Sequence, residues 1–433
     1  MKFEQVDISG FRGLANVELV DLDSRLNVFV GINGAGKSSI LEALKFLLQR
    51  FQAVAMGKRA KVGWCDDDVR IGMNRSSIFA RATVNGVKFF LSVHHGDLSQ
   101  HVPPSDELMR GVAPADISVR NRIANWRKEW KQVPPPSQSI LPESYPVLVH
   151  YPVTRAVLDI SERTKKPMEF GEWSAWDDSL TPFAADFGTF FTWFRQQEDL
   201  ENEKRLEQSA YQDQQLQAVR DAVERMLPGY TQLRIRRTSP VRMTLKKSGQ
   251  ELALQQFSDG EKCLVAMVGD LARRLSLANP GSSTPLEGSG VVLIDELDLH
   301  LHPQWQIDVI PRLLATFPRC QFFVTTHSPL LVSYVHPQQL YLLTNEDGNV
   351  VLQRPSQNTY GQDMNMLVST FMGAPVRETA TDELLKAIFA KLSDSKDWRQ
   401  AAPLIERVRV RNSDLPDIVK AQAIFDRKEL LTR

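Results

Sequence analysis

Gly31-Ile32-Asn33-Gly34-Ala35-Gly36-Lys37-Ser38-Ser39 is the stretch on which the fold turns. It fits G-x-x-x-x-G-K-[ST], the spacing of a phosphate-binding loop. Before it, Leu26-Asn27-Val28-Phe29-Val30 reads as a short buried strand; after it, Ile40, Leu41, Ala43, Leu44, Leu47 and Leu48 recur at helical spacing. Glycine lets backbone N–H groups close around phosphate oxygens, and the positive end of the following helix adds to the attraction. In such a loop Lys37 neutralises the β- and γ-phosphates and the Ser38 hydroxyl ligates Mg²⁺. Asn33, Gly34, Gly36 and Ser39 belong to the same cradle. The stretch therefore predicts binding of a nucleoside triphosphate with Mg²⁺.

Upstream of the loop, residues 2–20 alternate in β fashion around Gly10-Phe11-Arg12-Gly13, which predicts a hairpin feeding the loop strand. Downstream, two apolar runs between Ser77 and Val93 meet at Asn85-Gly86, a strong hairpin signal. Residues 104–132 carry Trp126 and Trp130 among Arg120, Arg122, Arg127, Lys128 and Lys131. That pattern reads either as a nucleic-acid face or as an amphipathic helix with a solvated basic side. Pro134-Pro135-Pro136 breaks it, and Val147-Leu148-Val149-His150-Tyr151 reads as a buried strand leading to Pro152-Val153-Thr154-Arg155. From Phe183 to Leu227 the pattern is helical again, with Phe187, Phe190, Phe191 and Phe194 in one stripe. The polar run from Glu198 to Gln217 suggests a short helical hairpin projecting from the body. Residues 233–247, with Arg234, Arg236, Arg237, Arg242, Lys246 and Lys247, form a basic hairpin, read as a nucleic-acid-facing patch or a solvated face.

Three later stretches add chemistry to the loop. In Phe257-Ser258-Asp259-Gly260-Glu261-Lys262, Ser258 and Glu261 form a capping box ahead of an apolar helix. The Ser258 hydroxyl, the Gly260 N–H and the helix dipole together make an anion site. Val291-Val292-Leu293-Ile294-Asp295-Glu296 is an apolar strand ending in two carboxylates, as buried parallel strands do. Asp295 suits the Mg²⁺ shell and Glu296 suits the orientation of an attacking water. Gln321 to Thr326 is a further strand, ending at His327-Ser328-Pro329. Between these, Asp298, His300 and His302 are too few for a metal centre, and Pro303 fits the first turn of a helix carrying Trp305 and Ile310.

The composition, 42% hydrophobic and 24% charged, is that of an ordinary globular protein, and 433 residues suggest two or three domains or one large domain with insertions. With 52 Lys plus Arg against 52 Asp plus Glu, the net charge is zero, so contact with DNA or RNA has to come from a local patch or a partner. Three scattered cysteines, Cys65, Cys263 and Cys320, form no CxxC pair and suit a reducing cytoplasm. No apolar run approaches the length of a membrane span, so a membrane location is not expected.

Five motifs in order (Phe11-Arg12, the phosphate loop, Ser258–Gly260, Asp295-Glu296 and His327) resemble the ABC ATPases of the RecF, SMC and OLD-like group. The resemblance implies an ATP site in which Arg12 approaches the phosphates, Lys37, Glu296 and His327 serve catalysis, and His327 contacts the γ-phosphate. Ser258 and Gly260 would then touch the γ-phosphate bound by another subunit. Leu301-His302 stands where transporters show Leu-Asp, and the glutamine-bearing loop of the group is not placed. The expected fold is α/β: an ABC-type ATPase head with an antiparallel β subdomain, a helical insertion and a C-terminal helical segment. The domains fall at 1–103 (first ATPase lobe), 104–232 (helical insertion), 233–345 (second lobe) and 346–433 (helical segment). About 220 residues between the phosphate loop and the later motifs are far fewer than a long SMC coiled coil needs.

No acidic D-x-D of a Toprim nuclease follows His327, so no nuclease is expected within the chain. The run from Phe257 through Leu275, Asn279-Pro280 and Gln321-Phe322 is similar to the PtuA-like ATPases of Septu and retron anti-phage systems. So is the tail with Asp363-Met364-Asn365, Met372-Gly373 and Arg377. That resemblance implies a homodimer or higher homo-oligomer assembled with a separate HNH nuclease, PtuB-like, acting on nucleic acid. The apolar stripe Leu384, Leu385, Ile388, Phe389 and Leu392 offers such a partner a docking face. Two other functions stay open: a RecF-like DNA-repair ATPase, and a slow-turnover scaffold held together by bound ATP.

Overall fold

The computed structural model describes residues 1–57, 63–84, 86–96, 144–156, 169–170, 173–182, 184, 186–346, 348–355, 359–362, 364–371, 378–394 and 397–432. The basic Trp126–Trp130 stretch, Pro134-Pro135-Pro136, Met372-Gly373 and Arg377 lie outside these residues. Two compact units divide the chain, Met1–Leu367 and Val368–Arg433.

The larger unit is organised by its strands. β1 (Lys2–Phe11) and β2 (Leu14–Leu19) form the expected hairpin, and β4 (Arg75–Val84) and β5 (Val87–Gly96) form the second, in one antiparallel sheet of order β2-β1-β4-β5. β3 (Leu26–Gly31), β6 (Val147–Tyr151), β10 (Gly290–Ile294), β11 (Cys320–Thr326) and β12 (Leu340–Glu346) pair in parallel; β13 (Asn349–Gln353) closes the edge antiparallel. Their order is β13-β12-β3-β11-β10-β6. The continuous apolar character of β3, β6, β10 and β11 follows from burial on both faces, and every residue of those four strands is buried.

Helix α1 (Lys37–Ala55) touches strands of both sheets. That double contact explains why Phe46 and Phe51 are buried as well as the stripe Ile40, Leu41, Ala43, Leu44, Leu47 and Leu48. A helix covered on two sides needs a wider apolar surface than a surface helix does. α2 (Phe187–Glu207), α3 (Gln214–Met226) and α4 (Asp259–Ala278) follow. On β6, His150 lies 3.9 Å from Glu42 of α1, whereas the next residue, Tyr151, donates to Asp270 of α4 at 2.9 Å. Successive strand residues point to opposite faces, so α1 and α4 cover opposite faces of the sheet at this strand.

The polar helical hairpin forms, but its body lies on α4 rather than projecting. All four phenylalanines of the stripe are buried, and the Phe190 ring sits where a side chain on Gly269 would be, 2.6 Å from an added Cβ. Glu198 and Glu201, in the run read as polar and exposed, are buried against Arg220, with Arg237 also on Glu198. A buried carboxylate is tolerable only when paired this way. The basic hairpin is β7 (Tyr230–Arg236) and β8 (Arg242–Lys247), extended by β9 (Gln250–Ala253). Glu251 of β9 pairs with Arg234 and Arg236, Glu198 and Asp199 pair with Arg237, and Glu261 pairs with Lys247. Most of the positive charge of this patch is thereby balanced internally.

α5 (Pro303–Thr316) opens on Pro303, as expected, with the His302 ring accepting from the Gln304 N–H at 3.3 Å. Four-residue α6 (Pro329–Val332) follows β11, and the chain passes between the two units within α7 (Met364–Phe371). In the smaller unit, α8 (Thr379–Ser393), α9 (Ala401–Arg409) and α10 (Pro416–Thr432) share a core of their own. Leu385, Ile388 and Leu392 are buried in it, and Leu384 and Phe389 pack against it. The stripe read as a docking face is therefore covered by α9 and α10. No helix of the described residues is long and apolar enough to cross a membrane.

Candidate functional site

The parallel strands β3, β11 and β10 are neighbours, and the loops at their carboxyl ends bring three sequence motifs to one edge of the sheet. Ligands of open α/β sheets bind at such an edge. From β3 the chain turns at Gly31 into the phosphate loop. A Cβ on Gly31 would meet the Leu343 carbonyl at 2.4 Å, so only glycine allows β12 this close. Gly34 and Gly36 have φ of +79° and +90°, the left-handed region that glycine adopts freely. Gly36 stands at the N-cap of α1 with no side-chain cap, and no acidic residue sits in the first turn. The first N–H groups of α1 are thus left for an external anion. Ile32, Asn33, Gly34 and Ser38 are exposed around this turn, and Ser39 is half-buried.

Lys37 folds back over the loop, its Nζ donating to the carbonyls of Gly31 at 2.8 Å and Ile32 at 3.0 Å. Burial lowers its pKa, while the negative charges of Glu296, Asp295 and Asp298 oppose that shift. These three carboxylates thus lie within charge-interaction range of the lysine. A cationic side chain held among carboxylates beside free helix N–H groups is suited to a polyanion carrying a divalent cation.

Asp295 and Glu296 follow β10 directly, and their backbone is fixed on every side. The N–H of Asp295 donates to the Tyr151 carbonyl at 2.9 Å, that of Glu296 to Thr325 Oγ1 at 2.7 Å, and that of Leu297 to the Thr325 carbonyl at 3.0 Å. Thr325 Oγ1 in turn donates to Asp295 Oδ1 at 2.5 Å. Arg155, buried at the end of β6, donates to the carbonyls of Asp295 and Glu296, the latter at 2.5 Å. Glu296 itself has φ +49°, a left-handed conformation that costs a residue with a side chain about 1–3 kcal/mol. Asp298, two residues on, accepts from Thr326 Oγ1 at 2.5 Å.

His327 follows β11 at the same edge and is half-buried; its ring makes no hydrogen bond among the described residues. Arg12 is turned to another task. With φ +49°, it donates from its N–H to the Asp68 carbonyl and from Nε to Asp68 Oδ1, both at 2.8 Å. Burial pushes the Asp68 carboxyl upward, but hydrogen bonds from Arg12 and the Cys65 N–H bring it below its usual value.

Ser258 and Gly260 lie elsewhere. Ser258 is the N-cap of α4 in the expected capping box, its hydroxyl bonded to Glu261 Oε2 at 2.9 Å. Glu261 also accepts from Tyr230, Lys247 and the Ser258 N–H; these bonds outweigh burial and hold its pKa at about 2. Ser258 is exposed, and Gly260 packs where an added Cβ would strike the His300 carbonyl at 2.2 Å. α4 touches β6 and the Arg155 turn, and β6 is three strands from β3. At a strand spacing of about 4.8 Å, these two strands are about 14 Å apart.

The sequence reading missed Arg155, Thr325, and the pairing of Asp298 with Thr326. Their only trace in the sequence is a pair of hydroxyls ending one buried strand and an arginine just past another.

Residues 1–95 match the family described as "AAA ATPase domain" and residues 157–333 the family described as "AAA domain, putative AbiEii toxin, Type IV TA system". The "Retron Ec83 probable ATPase" of Escherichia coli is 29% identical over 408 residues, covering 80% of this chain and 72% of that protein. The chain is an ATPase similar to those of retron and Septu systems. The "Retron Vc95 probable ATPase" of Vibrio cholerae serotype O1 biovar El Tor is 24% identical over 416 residues, covering 84% of this chain and 77% of that protein. The "Septu protein PtuA" of Bacillus mycoides (strain KBAB4) is 33% identical over 144 residues, 33% of this chain and 20% of that protein.

Proposed function

We propose that this ATPase is the nucleotide-controlled regulator of a retron- or Septu-type defence assembly. It closes as an ATP-bound dimer and restrains a separately encoded HNH nuclease. The names of its relatives support the defence setting, and the exposure of Ser258 at a helix N-terminus carries the dimer. A serine so placed serves that chemistry by facing the phosphate loop of a second copy. A two-fold arrangement then gives two equivalent sites.

In each site Lys37 and the α1 N–H groups neutralise the β- and γ-phosphates, and Gly34, Gly36, Asn33 and Ser39 shape the loop around them. The oxygen donors Ser38 and Asp295 fit Mg²⁺, which prefers hard ligands and shares its shell with phosphate oxygens. Asp295 is pre-oriented for this by Thr325. When bound there, the cation supplies charge stabilisation to the transferring phosphoryl group. Glu296 orients the attacking water, His327 reads the γ-phosphate, and Ser258 with Gly260 completes the anion site from the partner copy. Arg12 enters this scheme only by exchanging Asp68 for phosphate.

ATP occupancy biases the nuclease only through a difference in affinity between open and closed dimer. ATP is expected to hold the assembly quiet, and its depletion to release cutting. Subunits carrying Lys37→Ala and Ser258→Arg test the dimer: each alone is inactive, and a mixture regains turnover from the one heterodimer site with both parts intact. A mixture as inactive as its parents refutes the trans site. Purification of the assembly with and without ATP, followed by plasmid and RNA cleavage assays, tests the restraint. Cutting indifferent to nucleotide, or no nuclease in the preparation, refutes the regulatory half.

A further inference from the structure

We infer that Arg155 is a positioning residue for hydrolysis, setting the direction of the Glu296 carboxylate through the backbone that carries it. The inference deepens the proposed role of Glu296 and rests on that reading.

Three N–H groups of residues 295–297 are held by Tyr151 and Thr325, which anchors the turn to the strands on either side. The same two planar peptide units carry the carbonyls of Asp295 and Glu296, and both carbonyls point at one guanidinium, the latter also accepting from the Leu299 N–H at 3.0 Å. Because Glu296 is held at φ +49°, its Cα–Cβ bond leaves the chain in a direction that an ordinary extended or helical residue does not reach. Loss of the guanidinium leaves the Asp295–Glu296 unit held on its N–H side alone, so the unit can tilt and the Glu296 carboxylate swings with it.

Arg155 is built for this task in two respects. It is 8% exposed, and its described partners are backbone carbonyls alone: Pro152, Asp295 and Glu296. A planar guanidinium donates to two adjacent carbonyls in a fixed fork, which a lysine ammonium cannot reproduce. Its own backbone is tied into the nearby elements, since its N–H donates to the Pro152 carbonyl at 3.1 Å and its carbonyl lies 4.0 Å from Cys263 Sγ on α4. The residue therefore joins β6, the first turns of α4 and the carboxylate turn.

Arg155→Lys keeps the buried positive charge and the fold while removing the fork. Fluorescent-ATP binding, single-turnover hydrolysis and thermal unfolding are compared for wild type, Arg155→Lys, Glu296→Gln and the double variant. Expected for Arg155→Lys is ATP affinity within about threefold of wild type and a single-turnover rate about 10-fold or more lower, as small misplacement of a reacting group produces. In the Glu296→Gln background the same change is expected to produce little further loss, because the carboxylate it positions is already gone. A lysine variant with wild-type rate overturns the positioning role, as does a loss that multiplies with that of Glu296→Gln. Loss of rate in proportion to affinity and unfolding temperature also overturns it, by making Arg155 merely structural. If Glu296→Gln itself hydrolyses ATP at the wild-type rate, the reading of Glu296 fails first and the inference falls with it.

Discussion

Thr325 holds the site together by one hydroxyl, and its replacement by valine isolates that hydroxyl at nearly constant shape. Two bonds disappear together: the donation to Asp295 Oδ1 at 2.5 Å and the acceptance from the Glu296 N–H at 2.7 Å. Thr325 is fully buried, so no water replaces the lost oxygen from the strand side. A buried N–H left without an acceptor costs about 1–3 kcal/mol, and a hydrogen bond to a carboxylate contributes about 1.5–3 kcal/mol. The two share one oxygen and do not add fully, so Thr325→Val is expected to destabilise by about 2–4 kcal/mol. A catalytic effect accompanies the stability effect, because Asp295 gains rotational freedom and Glu296 loses an anchor in one step.

The comparison that decides this is with the adjacent strand-end hydroxyl. Thr326 is equally buried, but its Oγ1 serves Asp298 and the Ser328 N–H, not the two carboxylates of the proposed site. Urea unfolding measures both variants, and steady-state hydrolysis across a Mg²⁺ titration measures function. Thr325→Val is expected to raise the Mg²⁺ concentration for half-maximal activity and to lower turnover about 10-fold or more. Thr326→Val is expected to share the stability loss but not the shift in Mg²⁺ dependence. If the two variants behave alike in the Mg²⁺ titration, Thr325 is a structural residue and the pre-orientation of Asp295 is refuted.

Glu296→Gln is expected to keep ATP binding and slow hydrolysis by about 10² or more, with ATP-closed dimer accumulating in size-exclusion chromatography; unchanged turnover assigns the role elsewhere. Gly269→Ala places a methyl 2.6 Å from the Phe190 ring and forces α2 away from α4; an expected loss of about 1–3 kcal/mol is checked by urea unfolding. The depressed pKa of Glu261 makes the N-terminal cap of α4 a stabilising feature that is whole above about pH 4.5 and lost as the pH falls toward about 2. Glu261→Gln is therefore expected to be less stable than wild type at pH 7. That gap should close on acidification across this window, as followed by helical circular dichroism in denaturant.

Much of this was legible because burial leaves a periodic trace in one dimension. The α1 stripe, the apolar β10 and the Pro303 start each report a local rule: helical spacing, two-sided burial, a missing N–H. The phosphate loop is legible for the same reason, since its glycines, lysine and serine are contiguous. Where periodicity sees only half the picture, the reading went astray. The run from Glu198 looks solvated, yet Glu198 and Glu201 are buried because Arg220 and Arg237 reach them from α3 and the chain just past β7. The basic hairpin looks like a nucleic-acid patch until Glu251, on the strand that follows, is placed across it. The stripe beginning at Leu384 looks open, but α9 and α10 close over it. In each case the pattern showed that a residue needs a partner and not which one.

The residues that complete the candidate site were hidden for a related reason. Asp295 and Glu296 announce themselves as charges ending an apolar strand. What directs them comes from Tyr151 on β6, Arg155 in the turn just past it, and Thr325 on β11, the two strands flanking β10 in space. These supports act through backbone carbonyls and N–H groups, which every residue carries, so no pair of side-chain types marks the contact in the sequence. A positive φ at Glu296 is equally silent there, since no glycine advertises it. The turn is held in that conformation because every polar group of its backbone has a buried partner, and strain of this kind persists only where the surroundings over-determine it. It follows that substitutions at Arg155 and Thr325 act on one shared object, the Asp295–Glu296 turn. Their combined effect on single-turnover hydrolysis should fall well short of the product of their separate effects, whereas Gly269→Ala, which loosens α2 on α4, should multiply with either.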